Sequence, residues 1–149
     1  MSREAVERGQ PPVTVYSVDE QLALAQSVGV EGIIDVGCEY PHLRTAVDMA
    51  LDHPGVVRAA LAIHPNEAVL HGHRGVPGPD GLPVSYKPWH DLGFEEAFDE
   101  VRRLCVGNPG VVVAIGETGM DLFRTGAAAE EIQREALREH IALAKELDL

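Results

Sequence analysis

The chain has 149 residues, 45% of them hydrophobic and 24% charged, which suits a globular domain with a real core. The formal net charge of −12 argues against a broad basic surface for nucleic acid, although a metal ion held by acidic ligands would still neutralise a phosphate locally. No apolar run approaches the roughly 20 residues that span a bilayer. Met1–Gln10 lacks the apolar stretch of a secretory leader, and Cys38 and Cys105 form no CxxC pair, so a cytoplasmic protein with reduced thiols is expected.

Residues 1–16 read as a polar tail or loop containing Pro11 and Pro12, and residues 17–149 as the folded part. Ser17-Val18-Asp19-Glu20 is a capping-box pattern, followed by Leu22, Ala25 and Val28 at helical spacing and by Gly29 as a stop. Gly32–Gly37 is short and β-branched and predicts a strand. Pro41 opens a second helix with an apolar stripe of Leu43, Ala46, Val47, Ala50 and Leu51. Val56–Ile63 predicts a second strand, closed by His64-Pro65-Asn66. His71–Gly93 is rich in Gly, Pro and His and reads as a long, poorly ordered insertion in which Tyr86 and Trp89 can bury their rings as anchors. Phe94, Ala97, Phe98, Val101 and Leu104 mark a third helix. Asn108-Pro109-Gly110 is a turn, and Val111–Gly116 is a continuous apolar run expected to be buried on both faces. Ala127–Leu147 reads as a long helix with Ile132, Ala136, Leu137, Ile141 and Ala144 inside.

Alternation of helices and strands calls for a parallel sheet with right-handed crossovers, as in a (β/α)8 barrel or a doubly wound sheet. The absence of GxGxxG and GxxxxGK[ST] after any strand weighs against the nucleotide-binding versions. In either fold the reactive groups collect at the carboxyl ends of the strands. Those ends carry Cys38-Glu39, His64 and Glu117 with Asp121, which is suitable material for a metal site.

Each candidate has a plainer alternative. Glu117 is a metal ligand, or else a helix cap or ion-pair partner. His64 serves the site, or else closes its strand with the ring bonded to a backbone carbonyl. Asp121 is expected to bond loop amides, and Cys38 to be a small buried hydrophobe. Arg124 can meet a phosphate, but its surface placement near Glu130 or Glu131 is favoured. His71, His73 and His90 fall in the insertion, where metal capture has little support, and His140 is expected to be partly exposed on its helix.

Gly116-Glu117-Thr118-Gly119-Met120-Asp121-Leu122-Phe123-Arg124 resembles the GExGLDxxR stretch of TatD-type hydrolases. Ala62-Ile63-His64-Pro65 resembles their GxHP element, Asp35–Cys38 the preceding strand end, and Gln133 with His140–Leu147 the helix that follows. The resemblance runs in order from about Ser17 to Leu149. It implies about three parallel strands, with their helices, of a TIM-like (β/α)8 metal-dependent hydrolase barrel. It also implies hydrolysis of a phosphodiester, as in 3′–5′ deoxyribonucleases, with DNA or another phosphoester as substrate. The implied cofactors are divalent ions (Mg²⁺, Mn²⁺ or Zn²⁺), two of them in a complete barrel, with Glu117 as a bridging metal ligand. His64 would lie near the substrate phosphate, with Arg124 as a further substrate-binding candidate. No catalytic acid or base is assigned.

The family's HxH pair on its first strand has no match before Ser17. The only HxH here is His71-Gly72-His73, inside the insertion. Leu147-Asp148-Leu149 resembles only the start of the segment that leads to the next histidine ligand. The expectation is therefore an incomplete chain, inactive alone. The alternatives are a non-catalytic remnant or interaction module, and an ester or amide hydrolase such as a deacylase acting on charged tRNA.

Overall fold

The computed structural model describes residues 15–76 and 83–149. The described residues divide into two compact units, with the boundary between Glu31 and Gly32. In the first, helix α1 spans Val18–Ser27 and begins with the predicted capping box. The Ser17 N–H donates to Glu20 Oε2 over 2.7 Å, and the Glu20 N–H donates to Ser17 Oγ over 3.2 Å. These bonds hold the Glu20 carboxyl below its usual range. Gly29, at φ +88°, takes the left-handed conformation that ends the helix.

The second unit is an α/β layer. Its strands are β1 (Ile33–Gly37), β2 (Val57–Leu61) and β3 (Val112–Ile115), in the order β1-β2-β3 and all parallel. Ile33 pairs with Val57 and Gly37 with Leu61, and a register shift at Ala59/Ala60 separates the β3 partners Val112 and Ala114. Helix α2 (Tyr40–Asp52) carries Pro41 in its first turn and buries Leu43, Ala46, Val47 and Ala50. That i, i+3, i+4, i+7 stripe lies against β1 and β2. Removing a side chain such as Leu43 fully from water is worth about 1.5–3 kcal/mol. Leu51, expected in the stripe, is 47% exposed because it falls off the edge of the buried arc.

At the end of β1 the backbone of α2 comes so close that a Cβ on Gly37 would stand 2.8 Å from the His42 carbonyl oxygen. Only glycine fits there, and Cys38-Glu39 is thereby turned onto the carboxyl end of the sheet. Helix α3 (Pro65–Leu70) follows β2 directly, and α4 (Phe94–Gly107) buries Phe94, Ala97, Phe98, Val101 and Leu104 as expected, and Cys105 besides. A short helix α5 (Leu122–Thr125) and a 3-10 turn (Ala127–Ala129) lead into α6 (Glu130–Leu147).

Three expectations fail in this unit. In β3 only Val112 is buried, because the sheet face that carries Ile34 and Val36, 55% and 43% exposed, has no covering layer among the described residues. The buried stripe of α6 is Gln133, Ala136, His140 and Leu143, and Ile141 is 45% exposed. His140, far from being partly exposed, is fully buried. Its Nε2 accepts from the Ile63 N–H over 2.9 Å and its Nδ1–H donates to the Ala136 carbonyl over 2.6 Å. A polar ring occupies a core position there because it satisfies the backbone amide just past β2.

Residues 77–82 of the insertion lie outside the described residues; its flanks are mostly exposed, with His71 and His90 buried. Pro88–Asp91 forms a 3-10 turn. Glu67 Oε2 accepts from the His90 Nε2–H over 2.8 Å and from the Trp89 Nε1–H over 3.1 Å, so Trp89 anchors the segment as expected. Tyr86 remains at the surface, stacked on His73 at 4.2 Å. His71 is buried, donating from Nδ1 to the Leu92 carbonyl, while its Nε2 has no partner among the described residues.

Candidate active site

The three strand ends meet at one edge of the sheet. The ladder continues past the strands: the His64 N–H donates to the Cys38 carbonyl over 2.9 Å and the Gly116 N–H to the Leu61 carbonyl over 3.1 Å. His64 and Glu117 are thus delivered to the same mouth by parallel pairing alone. Their side chains stand 3.8 Å apart, Nε2 to Oε1, with His64 largely covered and the Glu117 carboxylate 66% exposed.

His64 caps α3. Its Nδ1 accepts from the Asn66 N–H over 3.1 Å, so the ring bonds to a backbone amide rather than to a carbonyl. An Nδ1 that accepts carries no proton, and the neutral ring then bears its hydrogen on Nε2, the atom facing Glu117. His64 is accordingly a hydrogen-bond donor toward the mouth, suited to an anionic oxygen.

A polar network fixes the loop that carries Glu117. Asn66 Nδ2–H donates to Asp121 Oδ2 over 2.7 Å. Gln133, fully buried on α6, accepts from the Asp121 N–H over 2.7 Å and donates to the Asp121 carbonyl over 3.2 Å and to Thr125 Oγ1 over 2.7 Å. Asp121 Oδ1 accepts from the Arg124 N–H, so Asp121 bonds loop groups as the sequence suggested. The Arg124 residue is exposed, in keeping with a surface placement.

Cys38 is half-buried rather than a core residue. Burial and the nearby Glu117, Glu39 and Glu67 carboxylates push its thiol upward, and burial pushes the Cys105 thiol up to about 11. Neither is a ready thiolate. His90 cannot offer Nε2 to a metal, because its Nδ1 accepts from the Lys87 N–H and its Nε2–H is spent on Glu67.

Among the described residues no group of three or more His, Cys, Asp or Glu side chains is disposed to hold a metal ion. With Glu117 as the available carboxylate and His64 oriented as a donor, the described residues do not by themselves fit a resident divalent cation, which needs several protein ligands.

Sequence reasoning missed Gln133 and Asn66 as organisers of this site. The available signal was polar residues at core positions, since Ala129, Gln133, Ala136, His140 and Leu143 repeat at spacings of four and three on one helix face.

Residues 13–149 match the sequence profile of the family described as TatD related DNase. The chain belongs to this family. Family members similar to it include the Mycobacterium tuberculosis metal-dependent hydrolase TatD, 33% identical over 136 residues, and the Bacillus subtilis metal-dependent hydrolase YabD, 29% identical over 132 residues. Each comparison covers 89% of this chain but only 41% and 42% of the respective relative, so the chain spans about two fifths of the length of the curated relatives it matches. The three parallel strands and flanking helices agree with part of a TIM-like family fold. Among the described residues no helix is long and apolar enough to cross a membrane.

Proposed function

We propose that this chain supplies part of the active site of a metal-dependent phosphodiester hydrolase acting on DNA. The observation that carries the reading is the 3.8 Å approach of His64 Nε2 to Glu117 Oε1 at the common carboxyl end of β2 and β3. In this reading Glu117 is one ligand of a divalent centre using Mg²⁺, Mn²⁺ or Zn²⁺, whose other ligands are not among the described residues. Such an ion supplies charge neutralisation at the phosphate when bound. The Nε2–H of His64 donates to a non-bridging phosphate oxygen, and Arg124 approaches the same anion from the exposed turn beyond Asp121. Asn66, Asp121 and Gln133 hold both side chains in register.

Because only Glu117 is a ready ligand, the 149 residues alone are expected to be inactive. The comparison is direct. The chain is assayed as it stands, and also grafted into the Mycobacterium tuberculosis relative in place of the matching stretch. Single-stranded DNA hydrolysis dependent on Mg²⁺ or Mn²⁺ in the graft, and none in the chain alone, is the expected result. Cleavage by neither, with an active parent relative, contradicts the hydrolase reading. Metal-dependent cleavage by the short chain contradicts the incomplete-site reading and leaves other residues here to supply ligands. An ester or amide substrate gains no specific support from the site.

A further inference from the structure

Helix α6 grips the strand ends through two polar side chains on one face. Gln133 holds the Asp121 loop that carries Glu117. His140, two turns further along, holds the end of β2. The N–H groups along β2 face its two neighbours in alternation. Ala59 donates to the Val111 carbonyl on the β3 side, while Ala62 and His64 donate to Gly37 and Cys38 on the β1 side. The Ile63 N–H therefore faces β3, which has ended at Ile115. Ile63 is fully buried, out of reach of bulk water, and His140 Nε2 accepts its hydrogen over 2.9 Å. The Ala136 carbonyl can only accept, so Nδ1 of His140 carries the ring hydrogen and Nε2 keeps its lone pair. Phe98 and Phe94 pack against the imidazole, at 4.8 Å and 6.2 Å between ring centroids.

We propose that His140 is a positioning residue that sets His64 against Glu117. The inference rests on the phosphodiesterase reading and deepens it. The backbone at the end of β2 is held from both sides, the Ile63 N–H by α6 and the His64 N–H by the Cys38 carbonyl. His64 then has only its side-chain torsions to adjust, and the bond from the Asn66 N–H to Nδ1 fixes those. Gln133 and His140 stand about 10 Å apart along one rigid helix. The helix thereby sets the separation of the two strand ends, and with it the 3.8 Å between His64 Nε2 and Glu117 Oε1. A side chain without an acceptor at position 140 leaves the Ile63 N–H unpaired in the core and frees the end of β2 to shift. A displacement of about 1 Å in such a pair costs on the order of a hundredfold in rate.

The first arm of the test is nuclear magnetic resonance on the 149-residue chain and needs no turnover. In the wild type, a coupling across the hydrogen bond joins the Ile63 amide nitrogen to His140 Nε2, and an Overhauser contact joins the His64 ring to the Glu117 methylenes. His140→Leu fills the space without an acceptor and should weaken that contact severalfold. His140→Gln restores an acceptor and should restore the contact. Should His140→Leu not fold, His140→Met, a more adaptable filler, takes its place. No coupling in the wild type, or an unmoved contact in the folded apolar variant, overturns the proposal. The second arm is DNA hydrolysis by the graft. His140→Leu should lower the rate at saturating substrate by about tenfold or more, with recovery in His140→Gln. Added to His64→Ala it should cause no further loss, because it acts through His64. An equal loss in both backgrounds means that His140 serves the fold alone and overturns the proposal. An inactive wild-type graft counts against the hydrolase reading instead, and the resonance arm still decides for His140.

Discussion

Asn66 and Asp121, 55 positions apart in the chain, share a 2.7 Å hydrogen bond from the Asn66 Nδ2–H to Asp121 Oδ2. This bond ties the first turn of α3 to the loop after β3, and with it His64 to Glu117. Because both partners are partly buried, each single change leaves the other group unsatisfied, costing about 1–3 kcal/mol. Asn66→Ala and Asp121→Ala should therefore destabilise non-additively, with a coupling of about 1 kcal/mol in urea titrations of the two single variants and the double variant. Strict additivity would mean that the bond does not join α3 to the loop after β3.

Acid sensitivity follows from two buried histidines. Burial pushes His140 and His71 below the ordinary imidazole value of 6.5. The unfolded chain takes up these protons as pH falls through 6.5 while the folded chain does not, so the stability present above 6.5 is lost on acidification. The slope is about 1.4 kcal/mol per pH unit per proton, until the depressed folded values are reached. His140→Gln removes one such proton and should flatten the change in urea midpoint between neutral and mildly acid pH. An unaltered slope would show that His140 is protonated in the folded state.

Glu67 receives both the Trp89 and His90 ring hydrogens with its carboxylate only 14% exposed. Glu67→Ala orphans two donors at about 1–3 kcal/mol each and should release the residues around Trp89. The single tryptophan reports this directly, through a shift of its emission toward longer wavelengths before any global unfolding. Emission identical to wild type would place the anchor of the insertion elsewhere.

Much of this arrangement was legible in the sequence, for reasons visible in particular residues. The capping box at Ser17, Pro41 at the head of α2 and the β-branched run ending at Gly37 are local signals whose physics is complete within a few residues. His64 and Glu117 were readable as neighbours because parallel strands put every carboxyl end at the same edge. The face of α6 was not readable by hydrophobicity, since its core positions include Gln133 and His140, whose worth depends on backbone groups of Asp121 and Ile63 far away in sequence. The packing of His71 and His90 was hidden for the same reason. Their partners, Leu92 and Glu67, lie more than 20 residues away across a segment with no periodicity.

The central claim is that Glu117 and His64 act together at one metal-dependent centre. Its most direct test is DNA hydrolysis by the graft in the relative's framework, carrying Glu117→Ala or His64→Ala, with Mg²⁺ or Mn²⁺ supplied. Glu117→Ala should lower the rate by well over about tenfold and weaken the dependence on added metal, as loss of a ligand does. His64→Ala should lower the rate while leaving the metal concentration for half-maximal activity unchanged, because the proposed role of its Nε2–H is to donate to substrate and not to ligate metal. Full activity in the Glu117→Ala graft would contradict the account.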